Sequence, residues 1–442
     1  VYANRGWSID QIRRGRKGAL SVALTESDKR VIDLIDEKEL VDLAVAMGNI
    51  TAPSGYEQPM ADFVLRWLTE NGFERSFQQA ICDGRSNTIG ILNGQGGGRN
   101  LIFNSHMDSE QGMPMRVDEP PPPGPTARVD YDNKRIFGVA VQNDRGPMTA
   151  FMIATKALKN SGVRLAGDVI MTMVVGEIGM GPVDEFRGAK YIGKGFGSRH
   201  AVTHGVNGDF ALIAETTDFG VTWIEAGAAY FKITLEGRGF YTPRIPPRGA
   251  VEDNPNALIK MIPVIEAIEK WAVEYEHKYT IDYPVGKMVP KVSIGAIRAG
   301  APYKPSTTPR SCSIYVDVRV PPPVPFSQVE RELKRVVSAV GLGGSVECFM
   351  ARKGYEGKNV EPLVDAICAA HVAVRGSQPP PVDTPETSMW RDINIFNEVG
   401  IPAATFGMPR KSAPDVPERF IEIQDIVDAA KMYALVALKI CG

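Results

Sequence analysis

Apolar positions along this chain recur first at helical spacing and then in short unbroken runs. Over 26–48, Val31, Ile32, Leu34, Ile35, Leu40, Leu43 and Ala44 fall mostly three or four apart, which predicts one helix with Glu26 and Asp28 near its start. Met60, Phe63, Val64, Trp67 and Leu68 repeat the pattern over 56–72, and Asn71 with Gly72 stops it. Strands are expected at 87–92 and 100–104, separated by a glycine-rich stretch over 94–98. A short strand at 136–142 leads into a helix over 147–161. The segments 169–175 and 210–214 are continuous apolar runs, as in strands buried on both faces. This alternation predicts a mostly parallel sheet covered by helices.

From about residue 222 the pattern changes. Tyr230, Lys232 and Thr234 alternate with Phe231, Ile233 and Leu235, which suggests an antiparallel strand. A helix at 256–271, strands at 292–297 and 312–320, a helix at 327–340 opened by Ser327 and Glu330 as a capping box, and a strand at 345–350 follow. That order is a ferredoxin-like split βαβ unit. The first pattern then resumes with a helix at 360–375, a proline-rich connector at 379–385, a strand at 401–406 and a helix at 423–440. The expected fold is α/β: an extension (1–25), a main domain in two parts (26–221 and 351–442) with a mostly parallel sheet flanked by helices, and an inserted ferredoxin-like α+β domain (222–350).

Length and composition narrow the classes. The 442 residues exceed one ordinary core, and 43% apolar with 23% charged residues is the balance of a globular protein. A net charge of -2 gives no reason to expect nucleic acid or an anionic membrane as partner. No apolar run approaches the ~20 residues of a membrane helix. The basic stretch 1–24 lacks the uninterrupted apolar segment of a signal peptide, so a cytoplasmic location is expected. Five scattered cysteines without CxxC spacing fit a reducing compartment and argue against a thiolate zinc site. Any metal must then be held by histidines and carboxylates, and the chain has only five histidines. The prolines at 120–123 are expected to stiffen a loop, 109–130, that shapes a pocket wall.

The candidate chemistry gathers at strand ends. His106 and Asp108 are two apart in an extended segment, so both side chains face one site. Asp144, Glu177 and Glu215 each follow a predicted strand. Each acid could simply cap the helix after it. Four acidic or histidine-bearing ends on one edge of one sheet instead mark a site, since open α/β sheets bind ligands there.

The ordered set resembles the metallohydrolase family of aminoacylase, acetylornithine deacetylase, succinyl-diaminopimelate desuccinylase and carboxypeptidase G. The matching segments are 104–108, 137–146, 176–179, 214–217, 317–319, 400–402 and 406–407, and the resemblance covers about 26–442. It implies that 26–221 and 351–442 form a catalytic domain and 222–350 a lid and dimerisation domain, with hydrolysis of amide bonds by one or two divalent metals, usually zinc, and a homodimer through the lid. By position, His106, Asp144 and Glu215 would hold the first metal and Asp108 would orient His106. A His/Asp/Glu set with an open position suits a catalytic zinc site. Two departures stand out. Gly176 occupies the place of the family's general-base Glu, and Pro414 that of the second metal's His; no His follows His371. The expectation is therefore a single divalent metal (zinc, or manganese or cobalt), with Glu177 as general base.

Further candidates are for substrate contact. His204, four residues after His200, lies in a stretch of poor helix formers and is expected to be structural or to meet substrate rather than to bind metal. Tyr241 stands where the family's lid carries a His, and Arg244 beside it could hold a carboxylate. Trp390 and Arg391 lie in the family's Ser-Asp loop. Together these predict an amidohydrolase or deacylase of a small carboxylate-bearing substrate. The alternatives are a deaminase of a small aromatic amine acid and a binding protein without turnover.

Overall fold

The computed structural model describes residues 23–110, 122, 126–247, 249–382, 384–413 and 416–442. Nearly all of the proline loop 119–125, and Pro414, lie outside the described residues.

The helices that matter here are α1 (Glu26–Ile32), α2 (Glu37–Gly48), α3 (Gln58–Glu70), α4 (Gly146–Asn160), α5 (Phe196–Thr203), α6 (Ala257–Tyr279), α7 (Phe326–Ala339), α8 (Glu361–Arg375), α9 (Ile393–Glu398) and α10 (Ile423–Cys441). The strands are β1 (Arg75–Cys82), β2 (Arg85–Leu92), β3 (Leu101–His106), β4 (Val169–Val174), β5 (Phe210–Ala214), β6 (Gly227–Glu236), β7 (Val292–Ala299), β8 (Ser311–Val320), β9 (Ser345–Arg352) and β10 (Ala403–Phe406).

The central sheet has the order β1-β2-β4-β3-β5-β10. The pairs β4/β3, β3/β5 and β5/β10 are parallel, while β1/β2 and β2/β4 are antiparallel. Every residue of β3, β4 and β5 is buried, which is what their apolar runs require. Alternation sorts their side chains between two layers. Leu101, Phe103 and Met171 pack with α4, α8 and α10, whereas Ile102, Ile170 and Ile213 pack with α5 and α9. Register fixes the site: His106 lies level with Val174, and Leu101 with Phe210, so β3, β4 and β5 end together.

The second sheet has the order β7-β8-β6-β9 and is antiparallel throughout. With α6 and α7 packed on Phe231, Ile233, Ile314 and Val316, it has the topology expected of a split βαβ unit. The residues on its other face hold the loop between β4 and α5. Asp184 accepts hydrogen bonds from Lys232 at 2.5 Å and from Tyr315, and Glu185 pairs with Arg298.

Several expectations need correcting. The helix foreseen over 26–48 is two, because Asp36 leaves the helical conformation and caps α2 through the Glu39 amide at 2.7 Å. Strand β1 is additional; its burial is only partial, so its sequence lacks the apolar run that marks its neighbours. The strand at 136–142 is only Arg135–Phe137, and it belongs to a small separate sheet. Asp144 therefore lies not at a central strand's end but in a π-type turn, Val141–Arg145, that opens into α4. The Ser327–Glu330 capping box does not form, since α7 begins one residue earlier with Pro325 as its cap.

Candidate metal centre

Three buried side chains converge where β3 and β5 end and α4 begins. His106, Asp144 and Glu215 each offer a ligand atom, and these atoms lie within 4.8 Å of one another. His106 is 1% exposed, and its Nε2 has no hydrogen-bond partner; neither does Asp144 Oδ1. Buried polar atoms without partners are costly. Unpartnered atoms within reach of one point therefore suit a cation. The donor set, one imidazole and two carboxylates, is one that zinc and other divalent first-row ions accept.

The ligands are held from behind. His106 Nδ1 lies 2.9 Å from the Asp108 carbonyl oxygen and 3.4 Å from its carboxylate, which leaves Nε2 for the ion. The Asp108 carboxylate accepts from Ser54 Oγ at 2.5 Å and from the Glu177 and Ile178 amides at 3.2 and 3.1 Å. Burial alone would raise the Asp108 carboxyl, but the bonds and charges of His106 and Ser54, with Arg85, hold it far below the usual range. Burial alone would lower His106; Asp108, Asp144 and Glu177 outweigh it and raise the imidazole well above its ordinary value. Asp144 is pushed far up by burial and by the charge of Glu215, against a 2.5 Å bond from Ser105 Oγ. A divalent ion would relieve this crowding of carboxylates.

Glu177 stands beside the set. Its Oε2 lies 4.0 Å from His106 Nε2, and its Oε1 accepts no hydrogen bond. Burial raises its carboxyl, the nearby Lys194 ammonium opposes this, and Glu215 adds to it. Asp392 is also buried at the edge of the group. Burial and the charge of Glu177 push it up to about 8, while Ser198 Oγ donates to it at 2.7 Å.

Gly176 is where the site departs most from the family pattern. Its φ of +66° is left-handed, and a Cβ there would meet Arg85 Nη2 at 2.4 Å. Arg85 is fully buried, bound to Glu57 at 2.9 and 2.6 Å and to the carbonyls of Ala189 and Ile192 at 2.8 Å each. The guanidinium fills the space into which a side chain at 176 would begin.

The substrate-contact candidates fare differently. Arg391 is buried, and its donors are committed to Glu215 at 2.6 Å, Glu225 at 3.0 Å and Glu386. It holds the Glu215 carboxylate in place and has these donors turned away from any open cleft. Trp390 is buried too, packed with Met350 and Ile395 under the Lys194 ammonium. His204 is exposed at the end of α5 remote from the strand ends, its ring stacked on His200 at 3.7 Å; the stretch is helical despite its composition because Ala201 and Gly197 pack against the sheet. Tyr241 (57% exposed) and Arg244 are exposed on the lid surface, where the Tyr241 backbone pairs with Thr307. Lys194, Asp392 and Arg85 were not singled out from sequence. The Gly-Lys-Gly at 193–195 was the one available signal, a turn composition that carries no chemistry by itself.

Comparison with known proteins fits this geometry. The model of peptidase family M20/M25/M40 matches residues 102–439. The chain belongs to that family. M20 enzymes are metal-dependent hydrolases of amide-type bonds. N-formyl-4-amino-5-aminomethyl-2-methylpyrimidine deformylase of Bacillus subtilis is 23% identical over 190 residues, which span 42% of this chain and 40% of that protein. The [LysW]-lysine hydrolase of Deinococcus radiodurans is 22% identical over 92% of this chain and 97% of its own length. YXEP of Bacillus subtilis, a dinuclear metal-binding M20 peptidase, is 15% identical and shares the fold, with a TM-score of 0.57 over 92% of this chain and 98% of that one. Among the described residues, no helix is long and apolar enough to cross a membrane.

Proposed function

We propose that this M20 member hydrolyses an amide-type C–N bond of a small carboxylate-bearing substrate with one divalent metal, held by His106, Asp144 and Glu215. The observation that carries the reading is the pair of orphaned, buried atoms His106 Nε2 and Asp144 Oδ1 facing the Glu215 carboxylate. When bound, the ion supplies a Lewis acid that polarises the scissile carbonyl and lowers the pKa of water.

The chain's own groups do the rest. Asp108 fixes the imidazole so that Nε2 alone points inward. Arg391 occupies Glu215 Oε2, which leaves Oε1 as the inward oxygen. Glu177 Oε2, 4.0 Å from His106 Nε2 and on a carboxyl raised by burial, takes a proton from the attacking water and returns it to the leaving nitrogen. Glu215 and Asp144 keep further negative charge beside it, which favours its protonation.

The YXEP peptidase binds two metals, whereas this chain offers one cluster of three ligands among the described residues. The relatives are named as a deformylase of an N-formyl aminopyrimidine and a hydrolase of [LysW]-lysine, which supports an N-acylated amine or amino acid as substrate. Zinc suits the donors best, with cobalt or manganese as replacements. The proposal extends to a homodimer formed through the lid, where β7 is an unpaired edge and Leu258, Ile262 and Ile297 are exposed. A cytoplasmic setting accords with the five free cysteines.

The test is a panel of N-formyl, N-acetyl and N-aminoacyl amino acids and amines, assayed with metal-stripped and zinc-loaded protein. Turnover that needs metal and falls at least ~100-fold in Glu177→Gln supports the assignment. Full turnover in Glu177→Gln removes the residue from its role.

A further inference from the structure

Lys194 is a buried cation that the reaction above does not use. It is 6% exposed, and it sits with φ +49° between Gly193 and Gly195, itself at +82°. Two backbone bonds hold it against the centre: its amide donates to the Glu177 carbonyl at 3.1 Å, and the amide of Phe196 donates to that of Gly176 at 3.2 Å. Arg352 Nε donates to the Lys194 carbonyl at 3.1 Å, tying the same turn to β9. The ammonium lies 3.7 Å from Glu177 Oε1 and 5.2 Å from the Trp390 ring centroid, and donates at 3.5 Å to the Trp390 carbonyl.

The other buried cations of the region are occupied. Arg85 is bound to Glu57, Arg391 to Glu215, Glu225 and Glu386, and Arg145 to the carbonyls of Met47, Ile50 and Met107. Around the centre stand the buried carboxylates of Asp108, Asp144, Glu177 and Glu215. One divalent ion offsets only part of that charge, and a buried carboxylate needs a compensating partner. Lys194 faces Glu177 at a distance too long for a hydrogen bond, so it acts as a charge through space and leaves Oε1 free.

We propose that Lys194 is the centre's built-in second cation: its ammonium compensates Glu177 where a second divalent ion would otherwise be drawn, and so limits the site to one ion. This rests on the single-metal reading above. Lys194 is a positioning residue here, because it acts through Glu177.

The experiment is cobalt(II) titration of the full chain, followed by calorimetry and by the visible absorption of the bound ion. The wild type takes one equivalent. Lys194→Met removes the compensating charge, binds the first equivalent about tenfold tighter and takes up a second, weaker equivalent. Lys194→Glu adds a carboxylate beside Glu177 and takes a second equivalent. Lys194→Arg restores the charge and behaves as wild type; Lys194→Gln stands in for the Met variant should that lose its fold. Met, Gln and Glu variants that bind cobalt as the wild type does overturn the proposal and leave the single-metal reading intact. Two equivalents in the wild type overturn that reading itself.

Discussion

Gly176 offers the sharpest test of how the fold and the departure from the family pattern are linked. The smallest perturbation is Gly176→Ala. At φ +66° a non-glycine residue costs about 1–2 kcal/mol. The added Cβ would stand 2.4 Å from Arg85 Nη2 and 3.0 Å from the Ile192 carbonyl oxygen. A flexible side-chain tip could usually move aside, but this guanidinium is fixed by both oxygens of Glu57 and by two backbone carbonyls. Pulling it off a fully buried carboxylate costs about 3–5 kcal/mol. The combined loss of about 4–7 kcal/mol is comparable with the whole stability of a typical protein, ~5–15 kcal/mol. Urea denaturation followed by circular dichroism reads it directly. Gly176→Glu, which restores the family's residue, is expected to lose stability by at least as much and to gain no turnover. An alanine variant within ~0.5 kcal/mol of wild type, the usual range of an innocuous surface change, would refute the packing argument. So would a soluble Gly176→Glu protein with raised activity.

Other variants probe the supports of the centre. Asp108→Asn loses the charge behind His106 and is expected to weaken zinc binding about 10–100-fold, read by competition with a chelating dye. Arg391→Met strands Glu215, Glu225 and Glu386 without their shared cation; a loss of about 3–5 kcal/mol in urea denaturation is expected, with weaker metal binding. A stability unchanged from wild type would show that Arg391 is dispensable. Asp392 has its carboxyl raised by burial to about 8 from 3.8, so the folded state holds a proton the unfolded state has lost. Between about pH 4 and pH 8 this makes metal-free protein less stable as pH rises, and Asp392→Asn should flatten that slope in chemical denaturation. An equal slope in the variant assigns the pH dependence elsewhere.

Much of this architecture was legible in the chain because burial leaves a plain signature. The fully buried strands β3, β4 and β5 read as apolar runs, and their ends carry His106, Glu177 and Glu215. The lid showed itself by a change of period. What failed to show has physical reasons. Strand β1 is half exposed, so no run marks it. Asp144 is presented by a kinked turn with non-helical Asn143 and Asp144, for which sequence has no periodic mark. Arg391 and Trp390 look like surface binding groups by type, yet the carboxylates Glu215, Glu225 and Glu386 that draw Arg391 inward lie 5 to 176 residues away. Lys194 and Arg85 gain meaning only from partners brought close by folding.

The central claim is one divalent ion on His106, Asp144 and Glu215. Anomalous diffraction from zinc-loaded crystals, recorded on both sides of the zinc edge, tests it most directly. The account predicts one peak per chain, within bonding distance of His106 Nε2 and of both carboxylates, and absent from Asp144→Ala. A second peak at Glu177, or none at this position, would contradict it.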